Sequence, residues 1–372
     1  MEIVNYVLLS FAAVAALDRI FGSRLGLGKD FEKGIGMAGT LVLAMAGMLV
    51  LCPVISDMLM GISGASSRFF DFSIIPAVLL ANDMGASQIA MGLAASSEVG
   101  YLNGMVVSSM MGCTVSFLVP YVLQVTNKKL HNDIIFGLLC GIITIPVGVA
   151  VAGLILGVDI VSLVFVLLPL LAFAAVVGVG IMKFERATVR IFIAVGWIIK
   201  AIITFGLFVG IVHFVTGFEI IPGIDSLGNV MKTLTSIICV MVGAFPLISV
   251  LERLLKKPLS LMGRGLGVNE TSAFCMLVTL GTSVTTFEMA SKMDRRGLVM
   301  NSAFAVSASF MFIDHLAWTM SVAPDCTLTV IVGKFVSAIC AVAFAYFVCK
   351  SRGIGSEDSG MAEAESAQTS VK

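Results

Sequence analysis

The stretch "ANDMGAS", residues 81–87, decides how this chain folds. It lies between "FSIIPAVLL" (72–80) and "QIAMGLAA" (88–95), two apolar runs that together make a segment over 72–95. Each half is about ten residues, roughly 15 Å of helix at 1.5 Å per residue, and so reaches only the middle of a ~30 Å hydrocarbon core. An acid placed there costs about 2.5–3.5 kcal/mol unless it is paired or faces water. The segment is therefore expected to turn back at Asn82-Asp83 rather than cross.

The rest of the chain supplies the membrane setting. Of 372 residues 58% are hydrophobic and 12% charged, and the mean hydropathy is +1.06, outside the range of soluble globular proteins. Nine ordinary spans are predicted, over roughly 3–22, 35–56, 104–125, 134–157, 160–182, 190–214, 231–252, 298–320 and 327–349. A second interrupted segment, 259–288, carries "NETS" (269–272) at its centre. The fold class is an all-α polytopic membrane protein. Zero net charge offers no basic face for nucleic acid. The eight cysteines lack CxxC or Cys/His spacing, so neither a disulfide framework nor a metal site is expected, and no cofactor motif is present. The glycine-rich "GLGKDFEKGIG" (26–36) lacks the ending of a phosphate loop and reads as a loop between spans. "MEIVNYVLLSFAAVAALDRIFG" has no basic start or cleavage site and reads as a retained first span, while the polar residues from Lys350 are expected to be disordered.

Charge settles the expected topology. If all eleven segments crossed, Lys and Arg would divide almost evenly between the two sides. If both interrupted segments turn back, sixteen of these residues fall on one side and Arg68 alone on the other. Positive charge marks the cytoplasmic side, so the N-terminus is expected outside and the C-terminus inside. Each half then has two spans, a re-entrant broken-helix hairpin and two spans. The halves, 1–158 and 190–349, are inverted by a linker span within 159–189, with 350–372 as a tail. Inverted repeats with broken helices meeting near the midplane are an architecture of secondary transporters. "NDMGA" and "NETSA" echo one another, as do "NGMVVSS" from Asn103 and "NSAFAVS" from Asn301.

The candidate binding residues follow from that layout. Asp83 and Glu270, expected at the two hairpin tips, are the leading ones, against the alternative that the tips merely cap half-helices. Asn82, Asn269 and Thr271 beside them, and Asn103 and Asn301 in the following spans, are candidates with equally good structural readings. Asp314 and Trp318 in "FIDHLAW" (312–318) stand four apart and share a helix face. That face could hold a small cation by charge and cation–π attraction of about 0.5–2 kcal/mol, or Trp318 could belong to the interfacial belt. His315 is a candidate proton relay or a packing histidine. Asp18 and Arg19 are expected to reach toward the interface. Lys200 and Lys334 lie within spans and could neutralise a buried acid. Asp294 reads as an ordinary cytoplasmic loop residue in which Asp294→Asn should be silent.

"AALDRIFG" (15–22), "ANDMGAS" (81–87), "SSMMGCTVSFLVP" (108–120) and "FIDHLAW" (312–318) together resemble the ethanolamine-utilisation permease family, EutH. The resemblance runs from the first span to about residue 349. It implies an inner-membrane permease of bacteria that takes ethanolamine as its substrate and the bilayer as its surroundings; a homo-oligomer is compatible with it. Ethanolamine at neutral pH is mostly an ammonium alcohol, which calls for carboxylates and hydrogen-bond partners. An enzyme is not expected, since no nucleophile, metal or dinucleotide constellation is present. Two other readings stay open: a carrier of another small polar solute, such as a nucleoside, and a non-transporting membrane scaffold for pathway enzymes.

Overall fold

The computed structural model describes residues 2–63 and 70–355, and every regular element among them is helical. Helix α1 (Glu2–Ile20) closes on a tight loop organised by Asp18. Its two carboxylate oxygens accept the N–H groups of Leu25 (2.8 Å) and Gly28 (2.9 Å). The acid expected to reach for the interface is instead buried as the anchor of the next helix. That helix, α2, runs over 27–63 with a wider π-helical turn at Val42–Ala46.

Two short helices follow, α3 (Ile74–Leu79) and α4 (Ala86–Leu93), separated by extended backbone at Leu80 and Ala81 and a 3-10 turn at Asn82–Met84. They form a hairpin whose base is closed by Asp71, which accepts the N–H groups of Ser73 (2.9 Å) and Ala95 (2.8 Å). The chain then runs through α5 (Ser97–Val125), with π-helical turns at Leu102–Gly112 and Thr114–Leu118, and α6 (His131–Ile155). A single long helix, Ile160–Thr216, bends at Phe184 (φ −130°, ψ 42°) into α7 (Ile160–Phe184) and α8 (Arg190–Thr216). Helix α9 (Leu227–Leu266) leads to a second hairpin, α10 (Glu270–Gly281) and α11 (Ser283–Glu288). Helices α12 (Arg295–Ala308), α13 (Asp314–Val322) and α14 (Thr327–Ser351) complete the described chain.

Seven helices are long and apolar enough to cross a membrane among the described residues: parts of α2 and α9, and α5, α6, α7, α8 and α14 with their short flanking turns. Two expectations need correction. The segment 298–320 is not one span. Helix α12 ends at Ser309, whose N–H (3.1 Å) and hydroxyl (2.5 Å) both bond to the carbonyl of Ala305. Phe310 then takes a left-handed backbone (φ +60°). The second hairpin is also displaced from 259–288. Asn269 caps α10 by accepting the N–H of Ser272 (2.8 Å), so "NETS" begins a helix instead of interrupting one. The break falls at Gly281-Thr282-Ser283, and Thr286 Oγ1 donates back to the carbonyl of Cys275 at 3.2 Å. Eleven residues of straight helix would span about 16 Å, so the chain has reversed. The tail expected to be disordered falls mainly on 356–372, outside the described residues.

Glycine carries the closest helix crossings. A Cβ on Gly47 of α2 would lie 1.7 Å from the carbonyl oxygen of Ile203 in α8, and one on Gly148 of α6 would lie 2.2 Å from that of Gly333 in α14. Without a hydrophobic drive between helices in lipid, such small-residue contacts are what dispersion and close packing use.

Candidate functional site at three helix breaks

The three interruptions, at 80–85, 281–283 and 309–313, are brought together by the third. Phe312 donates its N–H to the carbonyl of Leu280 at the second break (2.9 Å). Phe310 packs with Ala81 of the first break and with Cys113 of α5, and Met84 and Phe117 join that cluster. Backbone groups released from helical pairing are tolerated in a membrane interior only where protein or a polar cavity satisfies them. Here the breaks satisfy one another in part.

What they leave unsatisfied defines the site. Asn82 is fully buried, yet neither its Oδ1 nor its Nδ2 has a hydrogen-bond partner among the described residues. The same holds for Asp83 Oδ1, Ser283 Oγ and Asp314 Oδ1, one or more from each break. A buried polar group without a partner costs about 1–3 kcal/mol, more when charged. Native proteins carry few such groups, and each calls for an explanation, of which a bound polar ligand is one. Asp83 and Asp314 also lie within electrostatic reach of each other. Together the groups offer carboxylate acceptors, an amide with both donor and acceptor, and a hydroxyl.

Around this cluster stands a well-bonded shell. Trp318 is fully buried and donates from Nε1 to Ser87 Oγ at 3.0 Å, and that hydroxyl donates to the carbonyl of Asn82 at 2.8 Å. The interfacial-belt reading of Trp318 is thereby overturned: its indole holds the first break from behind. Lys334 on α14 is also fully buried; its Nζ donates to the carbonyl of Ser109 (2.7 Å) and meets His315 Nδ1 at 3.0 Å. His315 Nδ1 therefore faces an ammonium and serves as acceptor when that lysine is protonated. Gly85 (φ +93°) lets the chain turn into α4; a Cβ there would meet Met48 Cγ at 2.4 Å.

The remaining candidates lie at the hairpin bases. Asn103 donates to Ser73 Oγ (2.8 Å), and Asn301 to the carbonyls of Ser272 and Gly297 (both 2.9 Å), each tying a following helix to the start of its hairpin. Asn269 donates to the carbonyl of Lys292 (3.0 Å) besides capping α10. Thr271 is half-buried in the first turn of α10, and Glu270 is exposed there, away from the breaks. Of the two span lysines, Lys334 joins the site. Lys200 is exposed on α8, in a groove of about 580 Å³ lined also by Phe117, Tyr121 and Trp197. Sequence reasoning missed Ser283 and Phe310. Their signals were hydroxyl-rich "GTSVTT" (281–286) and "SAS" (307–309) inside otherwise apolar runs.

Membrane-length helices together with interrupted ones, with a carboxyl oxygen lacking a partner at Asp83 and at Asp314, define a multi-pass membrane protein with polar groups in its interior, a layout met in secondary transporters. Residues 1–348 match the family model described as "Ethanolamine utilisation protein, EutH". The chain belongs to that family. It is 37% identical to the "Probable ethanolamine permease EutH" of Listeria monocytogenes, over 93% of this chain and 94% of that protein. Proteins with the same name from Salmonella typhimurium and Escherichia coli are 34% and 33% identical, each over 92% of this chain and 94% of the relative. No solved structure matches the chain.

Proposed function

We propose that this protein is a permease of the bacterial inner membrane that carries ethanolamine into the cell by alternating access, with its binding site where the three breaks meet. The observation that carries the proposal is the group of unpartnered polar atoms on Asn82, Asp83, Ser283 and Asp314. An ammonium has three donors and no acceptor, so it suits the two carboxyls. A hydroxyl two carbons away both donates and accepts, which suits Asn82 and Ser283. The relatives named as probable ethanolamine permeases support the same substrate.

Inverted repeats over 1–158 and 190–349, joined through 159–189, are part of this proposal. Their support is a set of parallels across the two halves. Both hairpin bases are closed by an aspartate, Asp71 and Asp294. Ser96 and Asp294 cap the helices that follow, and Asn103 and Asn301 stand seven residues beyond those caps. Both hairpins are read as re-entrant from opposite sides, with the N-terminus outside and the C-terminus cytoplasmic, on the sixteen-to-one division of positive charge. The groove beside α8 is the proposed approach. Phe117 is part of its lining, and that ring meets Phe310 of the third break edge-on at 5.4 Å between centroids.

Uptake of labelled ethanolamine by proteoliposomes tests the proposal. Asp83→Asn and Asp314→Asn should each reduce uptake at least about tenfold, the scale of one lost charge-assisted contact of ~1.5–3 kcal/mol. Both variants should reach normal membrane abundance, because removing an interior charge does not hinder insertion. Unchanged uptake in both would assign the breaks to structure alone.

A further inference from the structure

Lys334 is a fully buried cation in the shell of the breaks, and its hydrogen bonds go to neither of the nearby acids. Its Nζ is committed to the carbonyl of Ser109 at 2.7 Å and to His315 Nδ1 at 3.0 Å. Among the described residues it forms no ion pair with Asp83 or Asp314, and each of those keeps an oxygen without a partner. It nevertheless lies within electrostatic reach of Asp83. A buried lysine adjacent to carboxylates gains most by pairing with them directly. Here the Ser109 carbonyl and the His315 ring hold it back from that pairing.

We infer that Lys334 is a specificity-determining residue: with Lys334 protonated and Asp83 and Asp314 ionised, the site carries one net negative charge, and so is matched to a single ammonium rather than to a diamine. This rests on the proposed ethanolamine site and adds to it the rule by which the site counts charge. Cys113 on α5 and His315 on α13 are the other titratable groups facing Lys334, and neither adds a negative charge while it stays protonated or neutral. Lys33 also acts on Asp314, from an exposed position near the start of α2 with its ammonium 4.6 Å over the Phe245 ring, outside the buried cluster. With two carboxylates and one lysine, a monocation neutralises the site. A dication would leave an uncompensated positive charge in a medium where that is costly. Neutral diols would leave an uncompensated negative one.

The test measures competition against labelled ethanolamine by 1,3-diaminopropane, a dication at neutral pH, and by ethylene glycol. In the parent, both should compete poorly. In Lys334→Gln, which keeps a donor for the Ser109 carbonyl while losing the charge, the preference for ethanolamine over the diamine should fall by about tenfold, as close charge pairs with couplings above ~1.4 kcal/mol imply. Adding Asp314→Asn to Lys334→Gln restores one net negative charge and should return the preference toward the parent's, even where affinity is lower. A merely structural lysine would change abundance and leave this ratio alone. An unmoved ratio in Lys334→Gln overturns the inference, while a parent that carries no ethanolamine overturns the proposed function instead. Should Lys334→Gln not accumulate, the double variant decides. Recovered abundance with parental preference supports charge matching, and failure of the double variant too assigns Lys334 to packing and overturns it.

Discussion

Asp294 gathers three donors at once: the N–H of Asn269 and the hydroxyl of Ser272 on Oδ1, and the N–H of Gly297 on Oδ2. It is almost fully buried, and both of its oxygens are needed as acceptors. Asp294→Asn turns one of those acceptors into a donor facing another donor, which costs about 1–3 kcal/mol for the buried group left unpaired. Thermal unfolding in detergent should therefore show Asp294→Asn clearly destabilised. Glu270→Gln, at the exposed residue next to Asn269, should lie within ~0.5 kcal/mol of the parent and keep its uptake. Equal stability of the two would show that Asp294 does not hold the hairpin base. From the sequence the ranking runs the other way, since an acid among cytoplasmic loop charges looks dispensable and an acid inside an apolar segment looks committed. Side-chain bonds made across 25 residues, as between Asp294 and Asn269, leave no local pattern to read.

At the scale of elements, the breaks share a design. At the first, the carbonyl of Leu80 is met by Gly112 of α5, where a Cβ would stand 1.8 Å from that oxygen; at the second, the carbonyl of Leu280 receives the N–H of Phe312. The chain that follows each hairpin thus abuts a carbonyl at its hairpin's break, from a π-helical stretch at Gly112 and from the non-helical stretch between α12 and α13 at Phe312. Gly112→Ala should force the first hairpin away from α5. We expect a loss of several kcal/mol, at the upper end of the ~1–3 kcal/mol typical of overpacking, and a fall in abundance, because the obstacle is backbone and cannot rotate aside. Normal abundance and uptake in Gly112→Ala would show that the contact is loose. The first break was legible because "ANDMGAS" puts polar residues and a glycine in the centre of an apolar run. The second was misplaced by eleven or so residues because "NETS" and "GTSV" are both polar enough to interrupt, and only the capping bond of Asn269 decides between them. The third was hidden because Ser309 and Phe310 fit an unbroken span by hydropathy. Its cause is tertiary, a backbone bond to Leu280 that no window of residues contains.

Over the whole molecule, two sets of helices are each drawn tight by glycine. One joins α1, α2, α8 and α9, through Gly47 and Gly206 between α2 and α8 and Gly243 against the carbonyl of Leu8. The other joins α6, α12 and α14, through Gly137, Gly141 and Gly148. Two such sets around the breaks are compatible with the proposed alternating access, which asks that parts of a fold move as bodies. The proposed orientation is checked by single cysteines at Ser97 and Lys292, both exposed at hairpin bases, in a cysteine-free background. Impermeant reagents should label Ser97→Cys from outside and Lys292→Cys only from the cytoplasm; labelling from one side would remove the inversion. The burial of Trp318 has an optical consequence. The chain has two tryptophans, one 71% exposed at Trp197 and one at 0% exposure at Trp318. An enclosed indole fluoresces at shorter wavelength than a solvated one and is out of reach of a collisional quencher. Trp197 lies on α8, a membrane-length helix, so a quencher dissolved in the bilayer would silence it and leave the emission of Trp318, whose indole hydrogen-bonds the hydroxyl supporting Asn82. The protein thus carries its own dye behind the proposed binding site, and that emission reports, without any label, when the site is disturbed.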